Sequence, residues 1–306
     1  MSATTTRILA FDEQAIAEAA RLVLAGEPVA VPTETVYGLA ADATNAEAVA
    51  RIYAAKGRPS FNPLIVHVPD FAAAERLGEF GPAARQLAER YWPGPLTLVG
   101  PKVGVTLPSI VTAGLETVAL RVPAHPVMQA LLRACGRPLA APSANASGTI
   151  SPTRAEHVLK SLNGRIPLII DAGPTSVGLE STIIAAEADE LRLLRPGPLD
   201  LGLEAVTADR VEAPGMLERH YAPSKPLRLD APDAPFGEFL IGFGPVAGDA
   251  TLSASGNLIE AAARLFDLLH QAEASRAAAI AVAPIPEDGL GIAIRDRLRR
   301  AAHRES

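Results

Sequence analysis

Lys56, Arg58, Asn62 and His67 follow one another closely in the stretch AAKGRPSFNPLIVHV. Two cations stand one residue apart between a helix pattern and a strand pattern, and an amide and an imidazole come next. Arginine offers a planar fork to phosphate and lysine a point charge. Such a group suits a triphosphate with a small anionic partner. The plainer reading has both cations complementing the end of a helix that stops near Ala55, an ordinary surface role. Asn62 and His67 shift the balance, because they place further donors along a turn and a strand that could converge on one anion.

Other positions carry similar questions. Ser143-Ala144-Asn145, with Gly148 beyond, follows the strand-like PLAAP; short polar residues there face a ligand or simply make a turn. Arg121 lies inside the apolar run TVALRVP, where a buried arginine requires a partner, either a structural carboxylate or a substrate carboxylate. Arg195 in LLRPG poses the same question. Four cations at strand ends exceed what a structural account needs. A lone histidine in a strand, such as His67, is more often a packing residue than a ligand. His125 and His157 have no metal-ligand spacing around them, so no protein-built metal site is expected. There is no GxxxxGK[ST] loop and no GxSxG elbow. Gly242-Phe243-Gly244 with Gly248 is only a loose dinucleotide fingerprint, interrupted by Pro245.

These residues need elements to position them. Hydrophobic residues make up 48% and charged residues 20% of 306, which indicates a folded chain of two domains. The net charge of −6 argues against nucleic-acid binding over the whole surface. One cysteine, Cys135, excludes an intrachain disulfide framework. It reads as a small buried residue in a reducing cytoplasm. No segment has the length and apolarity of a signal peptide or a membrane span.

Strands are expected at 28–31, 64–68, 96–99, 118–122, 139–141 and 168–170. Asn45 caps a helix that Gly57 ends, and Ser151-Pro152 reads as the start of another that stops at Asn163-Gly164. Residues 181–185 and 191–194 form an antiparallel pair joined by an acidic turn. The segment 212–229 carries three prolines without clean periodicity and reads as a linker with a function. Beyond it, strands at 239–243 and 279–283 alternate with a helix opened by Asn257 and Glu260 and another over 292–302. That order gives a small parallel-sheet domain.

PTETVYGL, KGRPSFNPLIVHV, PSAN, ESTII and LRPG, in this order, resemble the YrdC-like domain. The addition of PGMLERHYAP and the ending GLGIAIRDRLRRAA is similar to the two-domain form of that family. The match runs over nearly the whole chain. The resemblance implies an open twisted mixed α/β sheet with a concave, locally positive cavity (1–211), a linker over the active site (212–229) and a small Rossmann-like α/β domain (230–306).

It also implies an activity. Family members join L-threonine, bicarbonate and ATP into threonylcarbamoyl-adenylate and release pyrophosphate, for threonylcarbamoyladenosine formation in tRNA. By motif, ATP would meet Lys56, Arg58, Asn62, Thr117, Ser143, Asn145 and Arg195, with His220 and Tyr221 brought in by the linker. Threonine would meet Thr35, His67, Arg121 and Ser181. Lys56 and Arg58 would offset the triphosphate charge, and Mg²⁺ would arrive on the nucleotide. A hand-off of product to the tRNA threonylcarbamoyl transferase complex is implied, without a need for direct tRNA binding. The stretch from Arg195 to Pro214 is short for the family, its helix reduced to LDLGLEAV. Two rival readings are an RNA-binding module, which the acidic charge and 4% aromatic content oppose, and a carbamoyl transferase acting on another acceptor, whose usual extra segments are missing.

Overall fold

The computed structural model describes residues 5–187, 190–206, 211–216 and 219–303. Its first part forms β1 (Arg7–Ala10), α1 (Glu13–Leu24), β2 (Val29–Pro32), β3 (Tyr37–Asp42), α2 (Ala46–Lys56), β4 (Ile65–His67), α3 (Phe71–Glu75), α4 (Pro82–Tyr91), β5 (Leu96–Pro101), α5 (Ser109–Thr112), β6 (Thr117–Arg121), α6 (Pro126–Cys135), β7 (Leu139–Ala140), α7 (Ala155–Leu162), β8 (Leu168–Asp171), β9 (Thr182–Glu187) and β10 (Glu190–Arg195). The strands make one mixed sheet in the order β1-β8-β2-β3-β7-β4-β6-β5-β9-β10. The later part forms β11 (Leu227–Arg228), β12 (Glu238–Gly242), β13 (Ala250–Thr251), α8 (Leu258–Ala274), β14 (Ala279–Val282) and α9 (Leu290–Ala302). Its sheet runs β11-β14-β12-β13, with every pairing parallel. The chain therefore has the mixed α/β architecture with a smaller parallel α/β unit that the sequence indicates.

Local chemistry explains the elements nearest the site. Asn45 accepts from the backbone N–H groups of Glu47 and Ala48 and so starts α2, and Gly57 ends it in the left-handed region at φ 60°. Val49, Ile52 and Tyr53 bury its inner face. Lys56 is then the last helical residue and Arg58 follows the turn, so both side chains leave from one helix end. Asn257 caps α8 through Ile259 and Glu260, and Leu265, Phe266 and Leu269 fill the second core.

Register brings distant residues together. β4 and β6 are parallel, and His67 lies opposite Arg121 at their carboxyl ends. β7 runs antiparallel to β4, with Leu139 opposite His67, so the Ser143–Asn145 loop emerges toward the amino end of β4 and the 56–63 segment before it. β5 and β9 are parallel with Leu96 opposite Thr182, and β10 returns so that Arg195 meets Ile183. Arg121 and Arg195, the last residues of β6 and β10, thus face one cleft, and carboxyl ends of strands are where open α/β sheets bind ligands.

Three expectations need correction. The helix expected from Ser151-Pro152 starts at Ala155 instead, with Arg154 as a cap that makes no side-chain bond. The Ser151 hydroxyl bonds Glu180, and the Pro152 carbonyl accepts from the Tyr37 N–H, so tertiary partners claim the capping residues. The second sheet begins earlier than 230, because β11 pairs with β14 inside the segment read as linker. LDLGLEAV holds no helix among the described residues; the Val206 N–H bonds the Leu193 carbonyl. The acidic turn expected between β9 and β10 lies partly outside the described residues.

Candidate active site

Arg58 lies against its own loop. Its Nε donates to the Asn62 carbonyl at 3.1 Å, and one terminal nitrogen donates to Asn62 Oδ1 and to the Pro63 carbonyl, each at 2.7 Å. The Tyr53 hydroxyl also donates to the Asn62 carbonyl, at 2.9 Å. Asn62 is thereby fully buried. Lys56 is buried too, and its Nζ donates to the carbonyls of Ser143 and Asn145, both at 2.6 Å. The lysine expected at the triphosphate acts in this structure as a clamp that fixes the PSAN loop. Burial pushes the Lys56 pKa well down, with the nearby Arg58 charge adding to the effect. Burial also holds Arg58 down, at about 10.

Arg121 has a structural carboxylate as partner. One terminal nitrogen pairs with Glu34 at 2.7 Å, the other donates to the Thr35 hydroxyl at 3.0 Å, and Nε reaches the Gly94 carbonyl at 3.3 Å. Burial works against the Glu34 charge, but the Arg121 guanidinium outweighs it and leaves the carboxyl below its usual range. An arginine has five N–H groups. These three bonds leave two, so the structural carboxylate and a second anion are compatible. Glu34 escaped the sequence reading; the available signal was a carboxylate within the apolar PTETVYGL, matching an arginine in TVALRVP. Beside Arg121, His67 has a buried Nδ1 with no hydrogen-bond partner among the described residues. Burial and the Arg121 charge push its pKa down to about 3, so the ring is neutral.

Arg195 donates to the Ser181 carbonyl through Nε and a terminal nitrogen, at 3.1 and 2.9 Å, and reaches the Ser181 hydroxyl at 3.1 Å. Its other terminal nitrogen donates to the Pro214 carbonyl at 3.2 Å, which ties the sheet to the segment above it. Ser181 also shares a 2.7 Å hydrogen bond with Thr97.

These groups surround one cleft. Thr33, Thr35, Arg58, His67, Arg121, Ser143, Glu180 and Arg195 line it from the sheet, and Pro214, Gly215, His220 and Tyr221 cover it. Lys56, Asn62, Asn145 and Ser181 form the layer behind that lining, each bonded to it. Thr117 stands apart. It pairs with Pro101 at the opposite end of β6 from Arg121 and does not line the cleft. Out to its mouth the cleft measures about 550 Å³, but only about 50 Å³ of it has room for a water molecule.

The cover is well anchored. His220 and Tyr221 are buried, with rings in edge contact at 4.0 Å. Tyr221 sits in the left-handed region at φ 62°, and the Ala222 N–H bonds the Gly148 carbonyl. Gly215, at φ 85°, passes so close that a Cβ would lie 2.7 Å from the Tyr221 hydroxyl and 2.9 Å from Arg195 Cδ. The Tyr221 hydroxyl and His220 Nδ1 are buried without hydrogen-bond partners among the described residues. Burial lowers the His220 pKa far below the ordinary histidine value, with Arg58 the next cause.

Comparison with known proteins places the chain in a family. Residues 21–197 match the family described as "Telomere recombination", Sua5/YciO/YrdC, and residues 186–303 match "Threonylcarbamoyl-AMP synthase, C-terminal domain". The threonylcarbamoyl-AMP synthase of Bacillus subtilis is 43% identical, over 96% of this chain and 94% of its own. A solved structure of Pyrococcus abyssi Sua5 with L-threonine is 38% identical, with a TM-score of 0.88 over 98% of both chains. Another Pyrococcus abyssi Sua5 structure, with an adjacent histidine and tyrosine replaced by alanine, is 37% identical, with a TM-score of 0.89 over 97% of this chain and 96% of the other. On the full-length identity and the matched motifs, this chain belongs to the Sua5/YciO/YrdC family in its two-domain form, with the threonylcarbamoyl-AMP synthase C-terminal domain.

Proposed function

We propose that the cleft joins L-threonine, bicarbonate and ATP into L-threonylcarbamoyl-AMP, with release of pyrophosphate. One observation carries the reading. Arg58, Arg121 and Arg195 all line a single cleft in which, among the described residues, Glu180 is the one lining carboxylate, and this in a chain of net charge −6. Glu180 is itself neutralised by Arg297 at 2.8 Å. A positive, partly dry pocket selects a polyanion together with a small anion.

The chemistry needs no covalent protein nucleophile. The threonine amine attacks bicarbonate, and loss of water leaves a carbamate. A carbamate oxygen then attacks the α-phosphorus, and the bond to the pyrophosphate oxygen breaks. Arg121 keeps two N–H groups for the threonine carboxylate, with Thr35 and His67 beside it. Arg58 and Arg195 offset the triphosphate charge, while Lys56 and Asn62 hold the loops that carry them. Fixed donors that need no rearrangement are the strongest available electrostatic help. Mg²⁺ would enter on the nucleotide; among the described residues Glu180 is the one lining carboxylate, and Arg297 and Ser151 already hold it. Small-molecule pockets run to about 300–1,000 Å³. With about 50 Å³ of room, the cover formed by Pro214, Gly215, His220 and Tyr221 would swing out to admit ATP and then exclude water from the mixed anhydride. The product would supply threonylcarbamoyladenosine formation in tRNA, in the cytoplasm, through hand-off to the transferase complex.

Incubation with ATP, L-threonine and ¹³C-bicarbonate tests this. The expected result is a labelled threonylcarbamoyl-adenylate by mass analysis, with one pyrophosphate per product. ATP cleavage that occurs equally without threonine would overturn it.

A further inference from the structure

Arg297 is a fully buried arginine on α9, far along the chain from every residue assigned above. Its Nε donates to Glu180 Oε2 at 2.8 Å, and one terminal nitrogen donates to Asp296 at 2.6 Å. Its guanidinium carbon lies 5.2 Å from the centre of the Tyr221 ring. The other Glu180 oxygen accepts from the Ser151 hydroxyl. Glu180 lines the cleft and immediately precedes Ser181, whose carbonyl and hydroxyl hold Arg195. Two further contacts tie the cover to the same domain: the His220 N–H bonds the Arg300 carbonyl, and Phe266 of α8 packs 5.7 Å from Tyr221.

A buried arginine with two carboxylates is expensive to assemble, and removing one partner is worse than replacing all of them. A domain that merely rode on the first one would need no such group at the edge of the cleft. A cation over an aromatic face contributes attraction only while ring and cation stay in register. The ring in question belongs to the cover that must move for ATP to enter.

From this geometry we infer that Arg297 is a positioning residue for the synthase reaction. Through it the C-terminal domain fixes the Glu180–Ser181 wall and latches Tyr221 in the closed cover. The domain is thus part of the active site, and its docking sets how readily the cover opens and how well it closes. Arg297 touches no substrate. This inference rests on the function proposed above.

The test uses the full chain with Arg297→Met and Arg297→Lys, read in two ways. The first is trypsin cleavage after the exposed Arg219, which requires no catalytic activity. Cleavage should accelerate at least fivefold in Arg297→Met and less in Arg297→Lys, which keeps the charge beside Glu180 and Tyr221. The second is steady-state kinetics. KM for ATP should change at least tenfold in Arg297→Met, with KM for threonine within threefold of wild type. Tyr221→Leu combined with Arg297→Met should be no worse than either alone, because both release one latch. Wild-type cleavage rates in a folded Arg297→Met, or a loss of Vmax that matches lost folded protein at unchanged KM, would overturn the inference. A wild-type chain that makes no adenylate but still shows the cleavage difference would sink the proposed function and leave the latch standing.

Discussion

Arg121 is the residue where structure most changes the reading. Its apolar strand raised a choice between a structural and a substrate carboxylate, and Glu34 shows that the first exists. Arg121→Leu would strand Glu34 as a buried charge, at a cost of roughly 3–5 kcal/mol, and so would confuse stability with binding. Arg121→Lys is the cleaner change, since an ammonium can serve Glu34 and Thr35 yet offers no fork. A lost charge-assisted bond is worth about 1.5–3 kcal/mol, so KM for threonine should rise ~10- to 100-fold. KM for ATP should move less than threefold. Equal rises for both substrates would remove Arg121 from the threonine pocket. Arg58 carries a similar warning. Three of its bonds close the 58–63 loop, so Arg58→Ala should lower thermal stability as well as nucleotide affinity, and activity must be compared at equal folded fraction.

At the scale of elements, the cover over the cleft follows from Gly215 and Tyr221. Gly215→Ala puts a side chain into the left-handed region and into the Tyr221 hydroxyl. Hydrogen exchange at residues 219–224 should speed up, and that at β4 and β6 should stay unchanged; equal protection throughout would mean that the cover does not depend on this approach. Much of the scaffold was legible because its signals are local. Asn45 and Gly57 bound α2, Asn257 and Glu260 open α8, and the short apolar runs at 64–68 and 279–283 are strands. Ser151-Pro152 misled because the capping hydroxyl serves Glu180, a partner 29 residues away. β3, which starts at Tyr37 in PTETVYGL and runs on to Asp42, went unread, since six buried residues in a row lack alternation. Arg58, His67, Arg121, Ser143 and Arg195, singled out by the motifs, do line one cleft, but the bonds that each makes there were not legible. That Lys56 clamps carbonyls depends on the tertiary path of the PSAN loop. Arg297 sits in RDRLRRAA, where a basic run reads as a solvated helix face, and only the docking of α9 on Glu180 reveals it.

For the whole molecule, the joint between the two sheets depends on neutral imidazoles. His157 of α7 stacks on His270 of α8 at 3.8 Å, beside the Arg154–Asp267 ion pair, and His270 donates to the Ser151 carbonyl at 3.1 Å. Burial lowers His157 to about 4, with Asp267 opposing and Arg154 and Lys160 assisting. Burial also lowers His270 to about 3, assisted by His157 and Lys160. His67, held at about 3, belongs to the same class. Each group binds its proton more tightly in the unfolded chain, at the ordinary value of 6.5, than in the folded one. Stability from these residues is therefore complete above pH 6.5 and is lost as the pH falls from there toward 3–4. Linkage limits the loss to about 1.4 kcal/mol per pH unit for each imidazole. The urea midpoint should thus drop between pH 7.5 and 5.5, and the ATP-dependent reaction should weaken in parallel as the joint loosens. His270→Phe keeps a ring on His157 but removes one titrating group. Its pH-dependent loss should be smaller than that of wild type, by up to about 1.4 kcal/mol at pH 5.5. An unchanged pH slope in this variant would show that the stacked pair does not couple protonation to the docking of the two domains.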